Sequence, residues 1–266
     1  QIISDEVYSS NNRNGQNIEF GIREHAMAAV VNGISLHSKL FAFGSTFLVF
    51  SDYMRPSIRL ASLMNINSSY IFTHDSIYLG EDGPTHQPVE HLMSLRLIPG
   101  LDVIRPSNSI EIAHSYKYLF SNTNNPKVLS LTRQNLEYLD YEVDYRDFLN
   151  GGYIISDGDD FTIFASGSEV NIALQLKEKF KNYSVRVVSV PILNKLTPDK
   201  SKKLNNNKFS FTIELAKSNG WSDYIGNVTE SFSIETFGKS APMKDLSEVF
   251  NLNADSIAEK IKSYLS

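Results

Sequence analysis

The sequence predicts an α/β protein of two domains, each a mostly parallel sheet flanked by helices. Short apolar runs that read as strands alternate with helical stretches along the chain, the pattern of βαβ units. Polar loops follow directly on several of those runs, as they do at the carboxyl edge of a parallel sheet. Between residues 135 and 152 the sequence turns charged and Tyr-rich and closes on Asn150-Gly151-Gly152, which reads as a linker between two such series. The expected domains are 1–148, clipped at its amino end, and 149–266.

In the first series, Ser9–Asn17 is rich in Asn, Ser and Gly and reads as an exposed loop. Glu24–His37 reads as a helix. Its small residues Ala26, Ala28, Ala29 and Gly33 permit close approach, so it is expected to be buried or to lie at a subunit contact. Leu40–Phe43 is an expected strand, Ser51–Leu63 a helix and Ser69–His74 a strand. Pro88–Leu97 looks helical, Asp102–Arg105 is a strand, Ile110–Ser121 a helix and Val128–Thr132 a strand. The second series has strand Phe161–Ala165, loop Ser166-Gly167-Ser168, helix Glu169–Lys181, strand Ser184–Val190, helix Thr197–Asn205, strand Phe209–Ile213 and helix Asp255–Leu265.

Composition removes several function classes. At 266 residues with 41% hydrophobic and 21% charged residues, the chain has the make-up of a soluble globular protein with ample core. A net charge of −5 and the lack of any basic run argue against nucleic-acid binding. The absence of Cys excludes disulfides, thiolate metal sites and a Cys nucleophile, and fits a cytoplasmic setting. No apolar run approaches the roughly 18 residues of a membrane span, and no signal peptide opens the sequence. A first residue of Gln rather than Met suggests a fragment or a processed product.

The densest polar cluster is Thr73–His91, THDSIYLGEDGPTHQPVEH, placed just after an expected strand. Gly80, Gly83, Pro84 and Pro88 break regular structure, so the cluster is a shaped loop. Its histidines and carboxylates suit proton transfer and recognition of a polar substrate. His86 and His91 lack the helical i, i+4 spacing of a metal pair, and Pro88 intervenes. Phe47, Phe50 and Tyr53 recur at three-residue spacing and could share one face, or simply pack in the core. Glu24 opens a helix, where the helix dipole alone stabilises a carboxylate by about 0.3–1 kcal/mol. Arg133 follows a strand and suits a phosphate, or a surface salt bridge. The Ser166-Gly167-Ser168 turn could cradle a phosphate but lacks a full glycine fingerprint. Arg105 reads as structural, as do His25, His37 and His114, and Phe43 as packing.

The string GEDGPTHQP-E after THDSI resembles the transketolases, thiamine-diphosphate enzymes that move two-carbon ketol units between sugar phosphates. FGIREHAMAAVVNGIS (20–35), GSTFLVFSDYMRPSIRLASL (44–63), VIRPS (103–107), LTRQNL (131–136) and ASGSEV (165–170) match in the family's order. What they match is the back half of a transketolase: the pyrimidine-binding domain, followed by a Rossmann-like carboxyl-terminal domain that does not bind the cofactor. The family's front domain, which holds the diphosphate and its Mg or Ca ion, has no counterpart here, so the resemblance implies no metal ligand in this chain.

The resemblance implies the following roles. Glu24 hydrogen-bonds the aminopyrimidine ring of thiamine diphosphate and permits its proton relay. Phe47, Phe50 and Tyr53 line the pocket that stacks that ring. His86 reaches the oxygens of the ketol donor, and Asp82 holds its hydroxyl. His74 and Arg133 meet the phosphate of the sugar. The Phe237–Pro242 stretch, FGKSAP, has a structural or subunit-contact role.

Two departures from the family, Glu137 in place of a Pro and Ser107–Ile110 in place of an Ala-Asp-rich helix start, touch none of these groups. The expected assembly is a homodimer, or a complex with a separate front half, and the chain alone is expected to be inactive. The alternatives are a split-enzyme subunit, a non-catalytic dimerising or regulatory module, and a neighbouring thiamine enzyme such as a deoxyxylulose-phosphate synthase or a dehydrogenase β-subunit.

Overall fold

The computed structural model describes residues 6–38, 40–205 and 207–266. The first part of the chain builds a four-stranded sheet, all parallel, from β1 (Phe43–Phe47), β2 (Ser69–Thr73), β3 (Asp102–Ile104) and β4 (Lys127–Ser130), in the order β1-β2-β4-β3. Helices α1 (Glu24–His37), α2 (Ser51–Leu63), α3 (His91–Arg96) and α4 (Ser109–Leu119) connect and flank these strands. Strands β2, β3 and β4 are buried on both faces, which is why they read as apolar runs without alternation, whereas edge strand β1 buries only Gly44.

The first strand lies at 43–47 rather than 40–43. Leu40 and Phe41 are exposed, and the ladder to β2 starts only where Phe43 faces Ser69. The expected 88–97 helix is shortened to α3, because Pro88 has no amide hydrogen and residues 83–90 are held in turns. The 135–152 segment is not a bare linker. It contains α5 (Tyr145–Leu149), capped by Asp144, whose side chain accepts from the Arg146 amide, and Phe148 of α5 is fully buried.

The second sheet has five strands: β5 (Tyr153–Ser156), β6 (Phe161–Ala165), β7 (Val185–Ser189), β8 (Phe209–Ile213) and β9 (Glu230–Phe232), in the order β5-β7-β6-β8-β9. Only β5 is antiparallel. Around it lie α6 (Glu169–Lys179), α7 (Pro198–Leu204), α8 (Trp221–Ile225), α9 (Met243–Val249) and α10 (Ala254–Leu265). The edge strands β5 and β9 and helices α8 and α9 are short elements that local sequence pattern did not reveal.

The two sheets share their cores. Ile77, Tyr78 and Val89, from the loop after β2, pack into the apolar cluster under β6, β7 and β8. Met93 of α3 joins Trp221 and Phe164, and Ile71 and Ile104 join Phe148 and Ile192. This continuity fixes the loop after β2 between the two sheets, with one side on the core and the other toward solvent.

Helix α1 is not buried. Ala28, Val31 and Asn32 face inward, while Val30 and Leu36 are exposed. Asn32 locks the helix down. Its amide donates to the Ser57 carbonyl at 2.9 Å, and its carbonyl accepts from the Ser68 and Tyr70 hydroxyls at 2.8 and 2.5 Å.

Candidate active site

Parallel pairing in register brings the ends of β1 and β2 side by side, Phe47 facing Thr73. Phe47 therefore lies beside the start of the next loop, and its ring stacks on His74 with centroids 3.7 Å apart. The turn at 48–50 and the start of α2 continue the row, with Phe50 6.0 Å from Phe47 and Tyr53 6.1 Å from Phe50, both nearly parallel. His86 meets Phe50 edge-on at 5.6 Å. Tyr53 is 63% exposed, and Phe47, Phe50, His74 and His86 are half-buried. Aromatic side chains placed only to fill a core would be covered. These form an open, flat-sided row along the carboxyl edge of the sheet, where ligands of open α/β proteins bind.

His74 occupies the left-handed region, with φ of 60°. For a residue with a Cβ this costs about 1–2 kcal/mol, so surrounding structure must enforce it. The next residue supplies the anchor. Asp75 is buried and accepts from Arg105 Nε at 2.7 Å and from the Ser130 hydroxyl at 3.3 Å. Partial burial holds the His74 pKa below its ordinary value, and the Arg133 cation adds to this against an opposing pull from Asp82. His74 is thereby biased toward neutral imidazole, which can donate at one nitrogen and accept at the other. Its Nδ1 lies 2.8 Å from Thr73 Oγ1.

His74, Asp82 and Arg133 are thus electrostatically coupled, although Arg133 lies beyond the end of β4, far from the other two in sequence. Asp82 and Arg133 are exposed. His86 is oriented by Thr85, whose Oγ1 is 2.9 Å from Nδ1. Glu24 opens α1 half-buried, with no hydrogen bond or ion pair among the described residues. His25, next to it, places Nδ1 3.3 Å from the Ser57 hydroxyl of α2. His114 has a packing role, its Nε2 2.9 Å from the Val143 carbonyl.

The loop is held by a residue that sequence reasoning missed. The side-chain amide of Gln87 donates to the carbonyls of Ile77, Gly80 and Lys239 at 3.0, 2.9 and 2.9 Å. Gly238 passes so close that a Cβ there would come within 1.8 Å of Gln87 Oε1. The Ser240 hydroxyl donates to the Glu81 carbonyl. The FGKSAP stretch thus has a structural role within the chain, bracing the loop that carries Asp82 and His86. Only the long-range contact reveals this, because Gln87 is one polar residue among many in the sequence.

Behind the loop, Arg105 is fully buried and joins the two sheets. Besides Asp75 it bonds Glu169, and its Nη1 donates to the Ser166 carbonyl at 2.7 Å. Gly167 has φ of 60°, and a Cβ there would meet the guanidinium at 2.8 Å. Arg105 fills the concavity of the Ser166-Gly167-Ser168 turn, so that turn does not offer a phosphate cradle. Beside it, Arg96 forms a bidentate pair with Glu214 at 2.7 Å, and Trp221 Nε1 donates to Glu214 at 2.8 Å. Burial would raise the Glu214 pKa, but Arg96, Arg105 and Trp221 together hold it below the usual carboxylate value.

Fold and site define a two-sheet α/β protein whose first parallel sheet presents an aromatic, histidine-bearing edge. Residues 4–138 match the family model for the transketolase pyrimidine binding domain, and residues 151–253 that for the transketolase-like C-terminal domain. The chain belongs to the transketolase family and corresponds to a carboxyl-terminal half. The transketolase of Halalkalibacterium halodurans is 40% identical over 270 residues, covering 97% of this chain and 40% of that protein. The solved transketolase from Leishmania mexicana superposes with a TM-score of 0.89 at 35% identity, over 96% of this chain and 38% of that one. A solved chain described as a split gene transketolase, inactive beta4 tetramer, superposes with a TM-score of 0.78 over 92% of this chain and 82% of that one. At 20% identity that likeness shows the fold alone. The chain spans about 40% of the length of the curated relatives it matches.

Proposed function

We propose that this chain, completed by a diphosphate-binding domain, transfers a two-carbon ketol unit from a ketose phosphate to an aldose phosphate with thiamine diphosphate as cofactor. The observation that carries the reading is the open row of Tyr53, Phe50, Phe47 and His74, with His86 on its flank. Such a row suits a planar heteroaromatic ring, and its exposure suits a surface completed by another domain. The cofactor, when bound, supplies the carbanion chemistry.

Phe47, Phe50 and Tyr53 would stack the aminopyrimidine. Glu24 would hold a proton at its ring nitrogen, a charge-assisted bond of about 1.5–3 kcal/mol. His86 and Asp82 would hold the oxygens of the ketol donor. His74, as a neutral donor, and Arg133, as a cation, would bind the phosphate of the sugar. Within 1–148 the chain supplies these groups, while 149–266 braces them. The diphosphate and its metal ion would be held outside this chain, and the 266 residues alone would be inactive.

The missing part is supplied within a longer polypeptide that dimerises in the cytoplasm, or by a separate one. Mixing the purified chain with the separately produced front portion of a relative, thiamine diphosphate and Mg²⁺ tests both activity and dependence. Ketol transfer from a ketose phosphate is expected only in the complete mixture. Turnover by the chain alone would contradict the dependence. A complex that forms and binds cofactor, yet fails with every ketose phosphate donor, would contradict the activity.

A further inference from the structure

Asp52 in the first turn of α2 and Glu90 and His91 at the start of α3 form a mixed cluster, with Asp52 next in sequence to Tyr53 of the aromatic row. One potential ligand atom from each lies within 4.8 Å of the others. His91 is buried, 4% exposed, yet neither ring nitrogen makes a hydrogen bond. Nε2 lies 3.1 Å from Asp52 Oδ2, and Nδ1 lies 3.8 Å from Glu90 Oε2. The first distance is an ion-pair separation across which no hydrogen bond forms.

Two ligands of a shared ion, each about 2.0–2.2 Å from it, lie roughly 3 Å apart and point at the ion rather than at each other. His91 Nε2 and Asp52 Oδ2 stand at that separation, 3.1 Å. The other Asp52 oxygen, Oδ1, faces Arg55 at 3.9 Å, while the Arg55 guanidinium is engaged by Ser94. Glu90 is exposed and can swing its carboxylate in.

We propose that Asp52, Glu90 and His91 bind a divalent transition-metal ion, with water completing the coordination. One imidazole and two carboxylates suit zinc better than Mg²⁺ or Ca²⁺, which favour all-oxygen sets. The bound ion ties the turn of α2 that carries Tyr53 to α3, and so stiffens the edge of the candidate active site.

The test is titration of the chelator-stripped chain with Zn²⁺ against a chromogenic competitor, together with ¹⁵N spectra of the histidine side chains. One equivalent is expected to bind and to shift the His91 Nε2 resonance. Because losing even a supporting contact to a metal ligand costs about 10–100-fold in affinity, His91→Gln should weaken binding by roughly 100-fold. Asp52→Asn should weaken it as well, and circular dichroism should show both variants folded. Binding that His91→Gln leaves unchanged would assign the metal to other histidines and overturn the proposal. So would a wild-type chain that takes up no zinc, with the His91 resonances unmoved.

Discussion

The rings of Phe47 and His74 lie 3.7 Å apart, centroid to centroid, and 19° from parallel. The contact joins the last residue of β1 to the residue just past β2, and it holds an imidazole in a left-handed backbone conformation at the mouth of the site.

His74→Asn should separate binding from folding. Asn tolerates the left-handed region and keeps a donor, but it loses the ring stack, worth about 0.5–1.5 kcal/mol. In the completed enzyme the KM for a phosphorylated donor should rise about tenfold with kcat little changed. His74 also carries a pH signature. Its folded pKa is depressed, so its contribution to stability is full above the unfolded value of about 6.5 and is lost as pH falls through the folded pKa. Urea midpoints from pH 7 down to 5 should fall less steeply for His74→Asn than for the wild type.

Glu24→Gln should leave the circular dichroism of the chain unchanged and cost at most the helix-dipole contribution of about 0.3–1 kcal/mol in urea unfolding, because the Glu24 side chain makes no hydrogen bond or ion pair among the described residues. In the completed enzyme turnover should fall by about 10²–10⁴-fold, the range of a lost proton relay. Near-normal turnover would remove Glu24 from the chemistry.

Arg105→Met leaves the buried carboxylates of Asp75 and Glu169 without their cation. Breaking a buried ion pair on one side costs about 3–5 kcal/mol, which denaturant unfolding would register directly. The double variant Arg105→Met, Glu169→Gln should recover part of that loss. A single variant within about 0.5 kcal/mol of wild type would show that Arg105 does not hold the two sheets together.

Lys127 supplies an alkaline counterpart. Burial pushes its ammonium down to about 8, against the attraction of Asp102. Between about pH 8 and 10.5 the unfolded chain keeps a proton that the folded chain has released. Stability from this group therefore rises with pH across that window and is lost as pH falls through 8. Lys127→Met should abolish the rise. Burial raises the pKa of Tyr70 and Tyr153, which works in the opposite direction at high pH but equally in both proteins, so these two cancel in the difference.

The sequence carried the central strands and the longer helices. Ser51–Leu63, Phe161–Ala165 and Phe209–Ile213 have the observed bounds because apolar period and local propensity agree there. It also carried the identities of the candidate groups, since Phe47, His74, Asp82, His86 and Arg133 all stand in or beside loops that leave strand ends. What sequence could not decide is which of them meet. The stack of Phe47 on His74 depends on the register of β1 against β2, and the coupling of Arg133 to His74 depends on β4 pairing beside β2. Arg105 and the FGKSAP stretch read as structural from sequence, but their partners did not, and Gln87 had no assigned role, because Asp75 lies 30 residues from Arg105 and Lys239 lies 152 residues from Gln87. Local pattern reports how a segment is buried. Directed contacts between distant segments are set by sheet order and by the packing of one domain on the other, and only the tertiary structure fixes those.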